Sequence, residues 1–516
     1  MRSISSPRRI ALLALAGLAV PLSGCFSEAP QGGSAASGAP VTSGPTDSRI
    51  SIAMLQPPRS GLTPLSDDAF KLSRWSTAET LVVLDENGDA LPGLATQWTQ
   101  TSPTEWRFTM REGVTFHDGT DFTAERAAAS LTAATQATPL PRILNGVGMT
   151  ATAEGNEVVV TTENPDPLVP QRLSSPQLAM LAEAAYGADG VVDPVGHGTG
   201  PFELVAVDGT AGATLDRFDA YWGDKAASSG IDVAFVPDGT ARAAALRTGT
   251  ADVVEAIPVG QVAQIDPELV HEVPMPRTNT LYLNTETGPF ADPAVRAAAA
   301  DAIDRATVVE TVYEGRADVA AGLLGPALPW AADLRDGAAY TEELEHHATA
   351  PATVDGVKIT LGTFTDRAEL PEVAVLIAQQ LEAAGFVVEQ DVREYTYIEA
   401  DALEGKFDLF ILSRATVIDS GDPVAYLASD FSCEGTFNIS QFCDPEVDAL
   451  IQKASETDAG PARREAIMRA EAAILSRDAA IPMLHERVIQ GEAAGVSGVD
   501  RDPRERTLIT TASVAE

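Results

Sequence analysis

The sequence predicts an α/β protein with more than one core, on three observations. The chain has 516 residues, too many for one ordinary core. Two β-α-β patterns stand well apart, one centred near 230–260 and the other near 357–413. In each, apolar strand-like runs alternate with an Ala- or Leu-rich helical stretch that a glycine closes, which argues for parallel sheet. No internal sequence repeat links the two.

The elements follow from local pattern. Residues 49–55 read as a short opening strand. Residues 106–110 and 157–162 also read as strands, the former by period-two alternation. A helix over 122–134 begins behind Asp121, an acceptable N-cap. Residues 231–236 form a strand, an Ala-rich helix runs through Arg247 to a stop at Gly249, and 252–257 form the next strand. Asp292 and Pro293 open a long helix, and Gly315 lies just past its end. Along it Val295, Ala299, Ile303, Val309 and Val312 recur at near-helical spacing. In the second β-α-β body, 357–364 is a strand, 371–384 a helix capped by Gly385, 386–392 a second strand and 407–413 a third. Asp444 and Pro445 repeat the start signal for a helix over 446–454.

Ligands of open parallel sheets sit in the crevice outside the carboxyl ends of the strands. Arg367 falls just past the first strand of the second body and Asp419 past its third, so both lie on that side. A cation and an anion facing one crevice suit a ligand with a carboxylate at one end and an amine at the other, as in a short peptide. The plainer reading is that each pairs with an ordinary surface neighbour. Arg414, nearer the third strand, is the reserve cation. Phe437 and Asn438 either line the cleft or pack their own loop.

The amino terminus carries Arg2, Arg8 and Arg9 ahead of an apolar run, 10–22, too short to span a bilayer. It ends in Leu22-Ser23-Gly24-Cys25, which resembles the bacterial lipobox. Residues 1–25 therefore read as a lipoprotein signal with Cys25 as the acylated residue. The alternative is an ordinary signal peptide followed by a free cysteine. Residues 26–48, rich in Gly, Ser, Ala and Pro, read as a flexible tether. In an exported protein Cys433 and Cys443 favour a disulfide over a metal pair or two free thiols. The formal charge of −39 argues against nucleic acid or an anionic membrane surface as partner. Nothing in the sequence calls for a metal or cofactor.

Several motifs together resemble a known family. The run 94–131 (LATQWTQTSPTEWRFTMREGVTFHDGTDFTAERAAASL), GTGPFEL at 198–204, DAYWG at 219–223, and 282–305 (YLNTETGPFADPAVRAAAADAIDR) look like the signature of peptide- and nickel-binding receptors of ABC importers. Their order and spacing cover almost the whole mature chain. The resemblance implies an α/β, two-lobed periplasmic-binding-protein type II fold with an extra subdomain in the first lobe. Lobe I would span 49–280 with the insertion at about 86–195, lobe II would span 281–484, and 485–516 would return to lobe I. Crossings are expected near 276–283 and 481–486. Within the family the chain is most similar to dipeptide-binding proteins. Asp419, opening Asp-Ser-Gly-Asp-Pro, looks like the aspartate that binds a ligand's α-amino group. Arg367 matches the arginine that grips the carboxylate, and Cys433 and Cys443 match the family's paired cysteines.

What this implies is an extracytoplasmic, lipid-anchored, monomeric receptor that takes short peptides, dipeptides above all, by hinge closure. A membrane permease with ATPase subunits would receive them, since the chain has no GxxxxGK[ST] phosphate loop. An oligopeptide or nickel-chelate receptor of the same fold is the alternative. A secreted lipoprotein hydrolase is a further one, but the sequence has no GxSxG, HExxH or S-x-x-K arrangement, and no enzymatic activity is expected.

Overall fold

The computed structural model describes residues 46–187, 190–417 and 420–516. Cys25, the signal segment, most of the tether, and Asp419 lie outside the described residues.

Eleven strands join in one long sheet. Across it they run Phe386–Arg393, Val357–Phe364, Leu409–Ala415, Val270–Leu283, Ala480–Glu492, Val253–Val254, Arg49–Met54, Gly230–Phe235, Gly212–Arg217 and Phe202–Asp208, and Ala317–Val319 adds to Ala480–Glu492. The ladders are parallel where β-α-β connections demand it. Val357–Phe364 pairs in parallel with both Phe386–Arg393 and Leu409–Ala415. Arg49–Met54 does the same with Gly230–Phe235 and Val253–Val254. The third strand of the second body starts and ends two residues later than its apolar run suggests, which carries Arg414 into the ladder.

At the centre, Val270–Leu283 and Ala480–Glu492 run antiparallel through both halves of the sheet. The register holds from Val270 opposite Gly491 to Pro274 opposite Arg487, then resumes with Thr278 opposite His485. Residues 275–277 therefore bulge. Pro274 and Pro276 have no N–H to give the ladder, so it cannot close regularly there. The Pro276 carbonyl is satisfied instead by the Thr416 amide at 2.8 Å.

Each half of the sheet covers its own core. One gathers Ile50, Ile52, Trp75, Phe202, Leu215, Ile231 and Leu508. Another runs from Leu281 to Leu484 and includes Phe290, Leu361, Ile377, Phe410 and Ile474. A third lies on a separate four-stranded antiparallel sheet, Ala95–Ser102, Glu105–Met110, Glu157–Thr161 and Thr150–Glu154. Helix Ala124–Gln136 packs Ala127 and Leu131 into this core with Phe108, Val158 and Val160.

Three local readings change. The cap of helix Ala124–Gln136 is Thr123, whose hydroxyl accepts from the Arg126 amide, while Asp121 pairs with Thr115 in an isolated bridge. The long helix expected after Asp292 is two helices, Pro293–Ala302 and Arg305–Val312. Asp304 causes the break: its carboxylate accepts from the Thr307 amide at 3.1 Å, so it acts as an N-cap inside an apolar pattern. Finally, residues 46–48, read as tether, are tied down, with the Thr46 amide on Ala227 O and the Ser229 amide on Ser48 O. Among the described residues no helix is long and apolar enough to cross a membrane.

Two histidines are structural. His117 donates through Nε2 to Gly200 O at 2.9 Å and lies edge-on to Phe218. His485, on the central strand, donates through Nδ1 to Thr278 Oγ1 at 2.9 Å, and that hydroxyl donates to Leu323 O. Burial lowers the pKa of each to about 4, and the Arg335 charge adds to the effect at His485. Each folded pKa lies below the ordinary histidine value, so these residues add stability above pH 6.5 that is lost as pH falls toward 4. The loss approaches about 3 kcal/mol per histidine at full extent. Urea unfolding between pH 7 and pH 4 should show a declining midpoint, and replacing both with Gln should flatten the decline; an unaltered slope would refute the assignment.

Candidate functional site

Arg367 follows strand Val357–Phe364 in the short turn that precedes helix Glu369–Ala383. Its Nη1 donates to Glu486 Oε2 at 2.8 Å. Glu486 is 7% exposed and Arg367 33% exposed, so the carboxylate is buried while the guanidinium stays within reach of solvent. Among the described residues no other partner meets the remaining nitrogens of Arg367. Its fork is only partly used.

Arg414 is different. It grips Asp430 with two nitrogens, Nε to Oδ2 and Nη2 to Oδ1, each at 2.8 Å. Asp430 is fully buried. The Phe437 ring lies 4.2 Å from the guanidinium, a cation–π contact, and Tyr282 Oη reaches Asp430 at 3.5 Å. Burial works against the charge of Arg414, but the bond and charge of Asp430 outweigh it and hold the pKa above the ordinary arginine value. The reserve cation of the sequence reading is thus committed to an internal ion pair. Asn438 is committed as well: Nδ2 donates to Ser432 O and Phe442 O, and Oδ1 accepts from the Phe442 amide. These bonds fill the loop that the Cys433–Cys443 disulfide closes.

The residue that sequence reasoning missed is Arg277. It sits on the bulge of the central strand, opposite Ala415 and next to the Pro276–Thr416 contact. Its Nε is buried and unpartnered, and among the described residues nothing bonds its guanidinium. Burial is the main influence and lowers its pKa; Arg367 and Arg414 lower it further, while Glu505 and Glu486 oppose. These five groups therefore share one electrostatic neighbourhood. The available signal was Pro-Met-Pro-Arg at 274–277, since two prolines within a strand mark a bulge.

The loop after strand Leu409–Ala415 also meets the other body. A β-carbon on Gly88 would lie 3.0 Å from Gly421 O, and one on Gly421 would lie 2.6 Å from Leu84 Cδ1. Arg464 bonds Asp89 at 2.6 Å, and Arg504 donates to Asp85 O. A cavity of about 520 Å³ opens between residues 145–172 and 420–463, lined by Ser420, Asp422, Arg463, Asp166 and Arg172 among others. Asp422 and Asp166 are bound by Arg463 and Arg172 respectively. Among the described residues no group of three or more His, Cys, Asp or Glu side chains could hold a metal ion.

Two cores, a shared strand pair and charged groups gathered at their junction suit a protein that closes on a solute. The sequence profile of the bacterial extracellular solute-binding proteins, family 5 Middle, matches residues 89–438. The chain belongs to this family. Glutathione-binding protein GsiB of Shigella dysenteriae serotype 1 is 26% identical over 411 residues, 75% of this chain and 79% of that protein. The probable di/tripeptide-binding protein 5 of Pseudomonas aeruginosa is 25% identical over 456 residues, 81% of this chain and 85% of its own. The crystal structure of a nickel ABC transporter protein from Bacillus halodurans superposes with a TM-score of 0.77 at 25% identity, over 91% of this chain and all of the other. The solute-binding protein thus has the two-lobed periplasmic-binding-protein type II fold. Like its family it is an extracytoplasmic component of an ABC importer, working with permease and ATPase subunits, and is not an enzyme.

The Arg414–Asp430 pair yields a stability prediction. Removing one partner of a buried ion pair leaves an uncompensated charge, at a cost of about 3–5 kcal/mol. Asp430→Ala should lower the unfolding free energy by that order in urea melts, and a loss within about 0.5 kcal/mol, the range of an ordinary surface substitution, would show that the pair does not hold the second lobe together.

Proposed function

We propose that this solute-binding protein captures short peptides, dipeptides above all, and presents them to its permease. The observation that carries the reading is Arg367: a half-engaged guanidinium at the carboxyl end of a parallel strand, on the side where the neighbouring strand Leu409–Ala415 also ends. In this reading Arg367 takes the terminal carboxylate and Asp419 the α-amine. Burying a zwitterion costs desolvation at both ends unless each charge meets an opposite one with good hydrogen bonds. A guanidinium fork answers the carboxylate and a carboxylate answers the ammonium. Two fixed charges also set a length, because a longer peptide carries its carboxylate past the arginine. The cavity beside Ser420 gives side chains wet, permissive space.

Arg414, Phe437 and Asn438 serve the site from behind, by fixing the strand end and the disulfide loop. Lobe I spans 49–280 with its insertion at about 86–195, lobe II spans 281–484, and 485–516 returns to lobe I. The bulge at 275–277 is then the natural hinge, because local backbone change there breaks no regular ladder. Cys25 carries the lipid anchor, residues 26–45 the tether, and the receptor acts as a monomer. The names of the two relatives, glutathione-binding and di/tripeptide-binding, support a short peptide. The nickel-transporter likeness favours a nickel chelate as the second reading.

Calorimetry with di-, tri- and pentapeptides and a nickel–histidine chelate separates these. Dipeptides should bind tightest, Arg367→Ala should weaken them far more than longer peptides, and Asp419→Ala should abolish binding without changing the ligand-free melting temperature. Equal weakening at every length would remove Arg367 from the carboxylate role, and saturable chelate binding without peptide binding would overturn the peptide reading.

A further inference from the structure

The junction between the two halves of the sheet carries more positive charge than a dipeptide's single carboxylate needs. Of its arginines, Arg414 is fully matched by Asp430, Arg367 is partly matched by Glu486, and Arg277 is unmatched among the described residues. Glu486 and Glu505 influence Arg277, yet neither comes close enough to form an ion pair, and Glu486 is already held by Arg367. Arg277 is half-buried with its Nε enclosed and unpartnered, and leaving that donor without an acceptor is costly. The cost disappears once an anion arrives from outside.

Geometry says where that anion must be. Arg277 lies on the strand next to Leu409–Ala415, opposite Ala415. Glu486 stands opposite the bulge that carries Arg277, and Arg367 Nη1 bonds that carboxylate at 2.8 Å. An anion on Arg277 is therefore a near neighbour of a carboxylate on Arg367. In a dipeptide whose terminal carboxylate sits on Arg367, an acidic side chain on the carboxyl-terminal residue brings a second carboxylate there.

We infer that Arg277 is a specificity-determining residue that binds a second carboxylate, so that the receptor prefers dipeptides ending in Glu or Asp. This rests on the peptide reading and narrows it. The acidic side chain would supply the bidentate partner that Arg277 lacks, while Arg367 keeps the terminal carboxylate. A neutral side chain of the same shape would leave Arg277 unmatched.

Ala-Glu and Ala-Gln, which differ in that charge and little else, make the test by calorimetry. The wild-type protein should bind Ala-Glu at least tenfold tighter than Ala-Gln. In Arg277→Gln the ratio should collapse toward one, and in Arg277→Lys, which keeps the charge but not the fork, part of it should survive. The wild-type comparison stands by itself should Arg277→Gln fail to fold. Equal affinity of wild-type protein for both dipeptides overturns the inference and leaves the peptide reading intact. So does a preference that persists undiminished in Arg277→Gln. Failure to bind either dipeptide fails the peptide reading, and this inference with it.

Discussion

Two antiparallel strands, Val270–Leu283 and Ala480–Glu492, hold two separate cores in one sheet, and the site follows from the place where their ladder slips. Proline at 274 and 276 removes two donors, so the strands cannot pair regularly at 275–277. The bulge brings three things together. It sets Glu486 opposite the irregular stretch, where Arg367 reaches it. It leaves Pro276 O for the Thr416 amide, which ties down the chain just past strand Leu409–Ala415. It also places Arg277 among like charges without a partner. A regular ladder would satisfy more backbone groups locally and would not set Arg277 on an irregular stretch.

Much of the fold was legible because its signals are local. The strands at 357–364 and 386–392 and the helix between them follow from apolar period and a closing glycine, and the structure reproduces them within a residue or two. Asp292 and Asp444 cap helices as their position before proline suggests. The break at Asp304 was not legible, because an aspartate inside an apolar pattern reads as a solvent-facing residue until its neighbours' amides are seen to turn toward it. The site was legible only in part. That Arg367 stands at a strand end follows from the sequence, whereas its bond to Glu486 depends on a strand far along the chain. Arg277 was hidden for the same reason: lacking a partner is a property of everything around a side chain, and no short pattern states it.

The three arginines form a gradient rather than a cluster. Arg414 is satisfied within its lobe and fixes the strand end and the Phe437 loop regardless of ligand. Arg367 is held in place by Glu486 yet keeps donors to spare. Arg277 has no ion-pair partner among the described residues. Such grading separates a cation committed to the fold from two that keep donors to spare.

The surrounding charge sharpens this division. The chain carries 74 acidic and 35 basic residues, so its overall field opposes an approaching anion. At physiological ionic strength that field is screened over about 8 Å, and beyond this distance it barely distinguishes one small solute from another. Discrimination is therefore left to groups in contact, where burial removes the screening and an unmatched guanidinium weighs most. An acidic surface and a cationic crevice are compatible for this reason. In the proposed reading, a ligand that supplies the missing carboxylates is held best when both lobes enclose it, so the contacts that select the solute would also drive closure.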